Sequence, residues 1–282
     1  MTDLTRPLWL RYEALHDLIY FSPHPREQAK ALGLKGYWMG YFAFRAAPLG
    51  PVGPDVVTAV FYGFHRDRVA RALPDAWAYT SPERAIAARE AGVDAALAEL
   101  EVPDAGLAEA AELAWRAAAA AGTAGRPLAA ANQVLPRSEN PRIALWQATS
   151  VLREHRGDGH NAVLVARGVR PAEAHLLKVG AGEAEEEVLR TGRGFSEQEW
   201  GRTRAGLRER GWLDDAGGLT AAGRAEHEEI EAGTDRAAAQ PWQDLGPTDG
   251  ARLLELLDPL AVAVFRTGLI PSPNPAGLLW TT

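Results

Sequence analysis

Proline and small polar residues recur at one kind of place in this chain, just ahead of apolar, helix-periodic stretches. Ser81-Pro82-Glu83 offers a capping serine with proline in the first turn, Pro54-Asp55 and Pro171 open further stretches, and Ser196-Glu197-Gln198-Glu199 has the pattern of a capping box before Trp200. Proline has a fixed φ and no N–H, so it starts helices and breaks them elsewhere. A chain punctuated in this way is constrained to a series of short and medium helices. The expected helices include Leu8 to Phe21 (stopped by Ser22-Pro23-His24-Pro25), 25–33, the aromatic run Tyr37–Arg45, a helix from Pro54 through Phe61, Tyr62 and Phe64, and 82–100 and 104–121. After these come 141–156, 160–167, 171–179, 183–190, a helix from Ser196 to Arg210, one from Thr220 to about 240, and 249–267. Gly211-Trp212-Leu213 and Gly218-Leu219-Thr220, flanking Asp214-Asp215-Ala216-Gly217, suit a short β-hairpin. The expected fold is all-α with a small β-wing, in two helical lobes. The lobes are placed at 1–125 and 140–282, because Gly122, Gly125, Pro127, Pro136 and Pro141 cluster between them.

A length of 282 residues suffices for two domains of ordinary size, and 46% apolar with 24% charged residues is typical of a globular chain. With no cysteine, disulfides, thiolate metal sites and a cysteine nucleophile are excluded, and a reducing compartment is expected. The first residues lack the basic and apolar regions of a signal peptide, and no apolar run approaches the roughly 20 residues of a membrane helix. A cytoplasmic protein with no membrane partner is the expectation. Alanine and arginine outnumber isoleucine and lysine, which points to a GC-rich, actinobacterial source.

Residues 153–160, Arg-Glu-His-Arg-Gly-Asp-Gly-His, are the densest cluster of chemically useful side chains. They follow the apolar stretch Ile143–Leu152, and Gly157 and Gly159 are expected to end that helix. His155 and His160 are candidates for general acid and base, with Asp158 orienting an imidazole. As metal ligands they lack the third partner and spacing of a known site, so no metal and no cofactor is expected. The structural alternative is that Asp158 caps the next helix while Arg153 and Arg156 pair with carboxylates at a lobe junction. Tyr37, Tyr41, Arg45 and Tyr62 are candidate ligand-binding residues, because arginine among aromatics requires a partner, and Arg153 and Arg156 of the motif join them as candidates. Trp38 and Phe42 read as core.

Residues 172–235 hold 15 Asp/Glu against 8 Lys/Arg, so this stretch alone carries −7, the net charge of the whole chain. It reads as three helices, a hairpin and a long helix. Leu207-Arg208-Glu209-Arg210-Gly211-Trp212-Leu213 followed by Leu219-Thr220-Ala221-Ala222-Gly223-Arg224 resembles the winged helix-turn-helix of the MarR type. That resemblance covers about a quarter of the chain and implies a DNA-reading helix with Arg202, Arg204 and Arg208 as contacts. This sequence departs from the pattern with Asp214 and Asp215 at the wing tip and Glu197 and Glu199 at the start of the reading helix, where phosphates would be repelled. The chain as a whole also resembles a group of actinobacterial helix-turn-helix proteins, through Gly40–Gly50, Glu154–His160 and Thr234-Asp235-Arg236.

Together these readings predict a protein that binds an aromatic metabolite on a repurposed winged-helix scaffold, as a monomer or homodimer. Arg45, Tyr37 and Tyr41 would face His155, Arg156, Asp158 and His160 across a cleft, with cofactor-independent acid–base catalysis as an extension. The alternative is a ligand-responsive DNA-binding regulator.

Overall fold

The computed structural model describes residues 4–100, 106–271, 273–275 and 277–278. The helices of the first part are α1 (Thr5–His16), α2 (Leu18–Phe21), α3 (Pro23–Ala31), α4 (Gly36–Ala46), α5 (Pro54–Phe61), α6 (Arg66–Ala70), α7 (Pro82–Ala98), α8 (Leu107–Ala120) and α9 (Pro127–Gln133). They are followed by α10 (Pro141–Ala166), α11 (Pro171–Gly180), α12 (Glu186–Arg193), α13 (Glu197–Glu209), α14 (Ala221–Ala238), α15 (Gln240–Leu245) and α16 (Pro247–Arg266). The punctuation seen in the sequence sets many of the starts. Ser81 Oγ accepts from Arg84 N, Thr220 Oγ1 from Gly223 N, and Ser196 and Glu199 close the reciprocal capping box.

α10 is the spine. Asn140 caps it, Pro141 occupies its first turn, and its 26 residues span about 39 Å at 1.5 Å per residue. Its first half, with Leu145, Trp146, Ala148 and Leu152 buried, belongs to one hydrophobic cluster together with α1, α4, α7 and α8. Its end, Leu164, enters a second cluster with Leu176, Leu189, Trp200, Leu207 and Ile230 of α11–α14. After α14 the chain returns to the first cluster, where Trp242 of α15 and Leu253, Leu257 and Val264 of α16 are buried.

Two expectations need correction. The expected break at Gly157 and Gly159 does not occur, and one helix replaces the two read at 141–156 and 160–167. The reason is tertiary. A Cβ on Gly159 would lie 2.6 Å from Arg126 Nη1 and 3.1 Å from Ala237 Cβ, so glycine admits close neighbours there; at Gly157 a Cβ would meet only Glu154 Oε2, at 3.6 Å. Packing on both sides offsets the ~1 kcal/mol that each glycine costs a helix relative to alanine. The two glycines should therefore respond oppositely to substitution. Gly157→Ala should raise stability by about 0.5–1 kcal/mol, whereas Gly159→Ala should lower it; thermal melts of both variants check this, and a common sign would contradict the packing.

The β-wing is also absent, although the all-α class holds. Among the described residues there is no strand; Leu213 and Leu219 form one isolated antiparallel bridge. Asp214 folds the turn on itself, its Oδ1 accepting from Gly218 N (2.9 Å) and its backbone N–H donating to Gly218 O (2.9 Å). The arms are then diverted. Leu219 N donates to Gly180 O (3.3 Å), and α14 begins at Ala221, leaving no residues to extend a ladder. Gly223 explains the Leu-Thr-x-x-Gly pattern, since a Cβ there would come within 2.0 Å of Trp212 O.

Candidate functional site

The two clusters leave a cleft between them, a cavity of about 510 Å³ bordered by α1, α4, α10, α11, α14 and the segment 61–64. That volume is in the range used for small-molecule ligands. Tyr41, Arg45, Tyr62, Arg153, Arg156 and His160 all border it. Five of them were read from sequence as ligand-binding and one as catalytic. Tyr37 is elsewhere, lining a second hollow of about 270 Å³ with Tyr20, Arg26, Leu34 and Phe44; Tyr41 borders both.

Along α10 the 153–160 motif divides by helical face. Glu154 is buried against the first cluster, where Arg45 grips it through Nε–Oε1 (2.8 Å) and Nη2–Oε2 (2.9 Å) and Arg153 Nη1 adds a third contact at 3.0 Å. Burial alone would raise its pKa, but Arg153 and Arg45 outweigh it and hold Glu154 far below the usual carboxylate range. Arg153 also reaches Glu13 (3.2 Å), and Arg156 reaches Asp235 (2.7 Å) while its guanidinium lies over Trp9 (4.7 Å). Arg6 completes the junction with Glu231 (2.8 Å) and Asp235 (3.0 Å). The pairing of Arg153 and Arg156 with carboxylates is thus observed.

His155 and Asp158 face away from the cleft. His155 is buried, and its carbonyl accepts from Arg126. Asp158 does not cap its own helix. Its Oδ2 accepts from Leu128 N (2.9 Å) and Ala129 N (3.0 Å), closing the first turn of α9, whose own N-cap residue, Arg126, makes no side-chain cap. Asp158 therefore does not orient an imidazole. Burial pushes its pKa up to about 6 despite the two N–H donors, and burial lowers that of His155 to about 4.

His160 is the motif's histidine in the cleft. Its Nδ1 lies 2.8 Å from Thr234 Oγ1, and that hydroxyl donates its proton to Ile230 O (2.8 Å). Thr234 can then only accept, so Nδ1 carries the hydrogen and Nε2 keeps a lone pair. Burial, reinforced by Lys178, lowers its pKa to about 4, which makes it a neutral imidazole near pH 7. The Tyr41 hydroxyl accepts from Arg45 Nη1 (3.3 Å). Burial would raise its pKa, but Arg45, Arg193 and Arg153 together lower it. The cleft can therefore accept a ligand hydrogen at His160 and offer a hydroxyl at Tyr41. Among the described residues, no group of three or more His, Asp or Glu is placed to hold a metal ion.

Sequence reasoning missed Arg6, His175, Lys178 and Arg193 on the cleft wall, which lie outside any local motif. It also missed the bend at Tyr62. Helix α5 stops at Phe61, Tyr62 has φ 39° and ψ −58°, and Gly63 N donates to Phe61 O at 2.5 Å. This is a γ-turn of the strained, positive-φ kind, persisting because the surroundings over-determine it. Helices α10 and α11 and the turn between them supply them: Tyr62 Oη donates to Val169 O (2.5 Å), His175 Nε2 to Gly63 O (2.7 Å) and Asn161 Nδ2 to Val60 O (2.9 Å). Further along, His65 N donates to Arg193 O (2.9 Å) and Arg68 to Thr191 O.

The same segment touches the first turn of α13 at Glu199, while Ser196, Glu197 and Gln198 stay exposed. His65 Nε2 lies 3.2 Å from Glu199 Oε1, and a Cβ on Gly194, between α12 and α13, would meet Arg68 Cβ at 2.7 Å. Of the arginines read as DNA contacts, Arg204 pairs with Glu186, and Arg208 donates to Asp214 O (3.1 Å) and Asp215 O (2.6 Å). Arg202 is exposed.

The three segments behind the whole-chain resemblance meet in space, through Arg45–Glu154, His160–Thr234 and Arg156–Asp235. The sequence profile described as "Helix-turn-helix family" matches residues 5–271, and the chain belongs to that family. No curated protein and no solved structure matches it. Among the described residues, no helix is long and apolar enough to cross a membrane.

Proposed function

We propose that this helix-turn-helix family member binds an aromatic small molecule in the cleft between its lobes. The observation that carries the reading is the cleft itself. It holds about 510 Å³, is walled by Phe61, Phe64 and Tyr41 on one side, and has His160 with an unprotonated Nε2 on another. Stacking surfaces with a few convergent polar groups are the usual composition of a ligand site. The same His160 would serve as the base if a reaction is catalysed, without a cofactor, and Tyr41 would serve as the proton donor.

Gly157 provides the test, because its missing side chain borders the cleft and a Cβ there meets nothing closer than 3.6 Å. Gly157→Trp should fill the cavity while leaving α10 intact. Fluorescence titration with N-phenylnaphthylamine, a neutral aromatic probe, should show saturable binding to the wild type and its loss in Gly157→Trp at an unchanged circular dichroism spectrum. Equal binding by both proteins would refute the cleft as the site.

A second reading, ligand-responsive DNA binding, is favoured by family membership and by the α12–α13 helix pair with Arg202 exposed on its surface. The acidic start of α13 at Glu197 and Glu199, the intramolecular engagement of Arg204 and Arg208, and the acidic turn at Asp214-Asp215 weigh against it. The hydrogen-bonded strap 60–68 joins the cleft to this helix pair and is the element through which a ligand would bias it.

A further inference from the structure

Most of the cleft's cations are neutralised where they stand. Arg6 has Glu231 and Asp235, Arg45 has Glu154, Arg153 has Glu13 and Glu154, and Arg156 has Asp235. The carboxylates are engaged in turn, with Glu183 on His227 (2.8 Å) and Glu231 on Arg6 (2.8 Å), while Glu228 is exposed at the rim. Two cations break this pattern. Lys178, from α11, borders the cleft with no carboxylate at ion-pair distance among the described residues, although, against burial, its charge is the largest of those that hold down the pKa of Glu231, which Arg6 grips. Arg193, the last residue of α12, has none either, and its guanidinium lies over the Phe64 ring at 4.3 Å.

Both cations belong to one wall. Beyond burial, each helps to lower the pKa of His175, which shares α11 with Lys178 and donates from Nε2 to Gly63 O. A half-buried cation without a counter-ion is costly unless a ligand supplies the charge. Next to it, the Phe64 and Phe61 rings border the cleft with Arg193 and Arg45 lying over them, and His160 Nε2 offers a lone pair.

We propose that the ligand of this cleft is an aromatic acid, whose anionic group is held by Lys178 and Arg193 while its ring lies against Phe61 and Phe64 and a ligand N–H or O–H donates to His160 Nε2. This inference rests on the cleft being the ligand site. It moves the acid anchor away from Arg45, which the sequence suggested and whose Nε and Nη2 are taken by Glu154 and Nη1 by Tyr41.

The test uses two probes with the same rings, neutral N-phenylnaphthylamine and anionic anilinonaphthalene sulfonate, titrated against the full chain. The wild type should bind the sulfonate about tenfold or more tightly than the neutral probe, as expected for charge-assisted contacts out of bulk water. Lys178→Met and Arg193→Met should each weaken the sulfonate several-fold and leave the neutral probe unchanged, and Lys178→Arg should retain the preference. In the wild type, raising the ionic strength should weaken the sulfonate alone. Equal affinity for the two probes, without a salt effect, would overturn the proposal whatever the variants do, as would an unaltered sulfonate preference in both methionine variants. If Gly157→Trp excludes neither probe, the cleft itself fails as the site, a result separate from the choice of anion.

Discussion

Replacing Glu154 by alanine is expected to destabilise the fold by about 3–5 kcal/mol, the cost of leaving buried charge without its partner. Glu154 has 3% of its side chain exposed and Arg45 has 10%. Arg153 would keep Glu13, at 3.2 Å, but Arg45 would keep only the Tyr41 hydroxyl, at 3.3 Å, and the Phe61 ring beneath it. In a thermal melt the loss should lower Tm on the order of 10 °C for a chain of this size. Removing both charges is a different experiment. Arg45→Met with Glu154→Leu takes away donor and acceptor together, and should recover most of the loss because a paired replacement leaves nothing buried and unsatisfied. A cost below about 1 kcal/mol for the single variant would mean that water reaches the pair as it reaches a surface ion pair, and the rigid cleft wall would go with it. Tyr41 adds a spectroscopic readout. Its hydroxyl would lose Arg45 as a donor in Arg45→Met, so its ultraviolet titration should move to higher pH.

Asp158→Ala should cost about 2–4 kcal/mol, since two buried N–H groups at the start of α9 each lose a charged acceptor. The isosteric Asp158→Asn keeps an oxygen for Leu128 N and Ala129 N and should retain most of the stability. The pair also separates capping from charge. Burial raises the pKa of Asp158 to about 6, above the usual 3.8. The folded state thus holds a proton through a window in which the unfolded chain has released it. From this group, stability is fully present below pH 3.8 and is lost as pH rises through about 6. Asp158→Asn has no such titration, so the stability difference between wild type and Asn should shift in favour of Asn between pH 4 and 6. A difference that is flat across that window would show that Asp158 is solvated, and a benign alanine variant would show that α9 needs no outside cap.

The helices themselves were readable because their starts are local. Ser81-Pro82, Pro54, Pro171, Ser196 with Glu199, and Thr220 each satisfy or remove backbone donors within four residues, so no distant partner is needed to recognise them. The errors fell where a distant partner decides. Gly157 and Gly159 carry the same local penalty as any helical glycine, and nothing nearby in the chain announces that Arg126 and Ala237 press on one of them. Asp158 reads as a cap on any pattern, yet it caps α9, 30 residues earlier in the chain. The turn at 214–217 has hairpin composition, but Gly180 takes Leu219 N and α14 begins at Ala221 before a second bridge can form.

The candidate site divides in the same way. The sequence alone determined that residues 153–160 concentrate reactive side chains, that Arg45 among aromatics requires a partner, and that residues 172–235 are largely helical with an acidic balance. These follow from side-chain chemistry and from periodicity, which are properties of the chain. Only the tertiary structure decided which face of α10 meets the cleft, separating His160 from His155 and Asp158, and which cations remain without a counter-ion. Arg45 and Glu154 are 109 residues apart, His160 and Thr234 are 74 apart, and Lys178 and Arg193 belong to separate helices. A charge is neutral or free according to what lies within about 4 Å of it, and no local pattern fixes that distance until the two hydrophobic clusters are packed along α10.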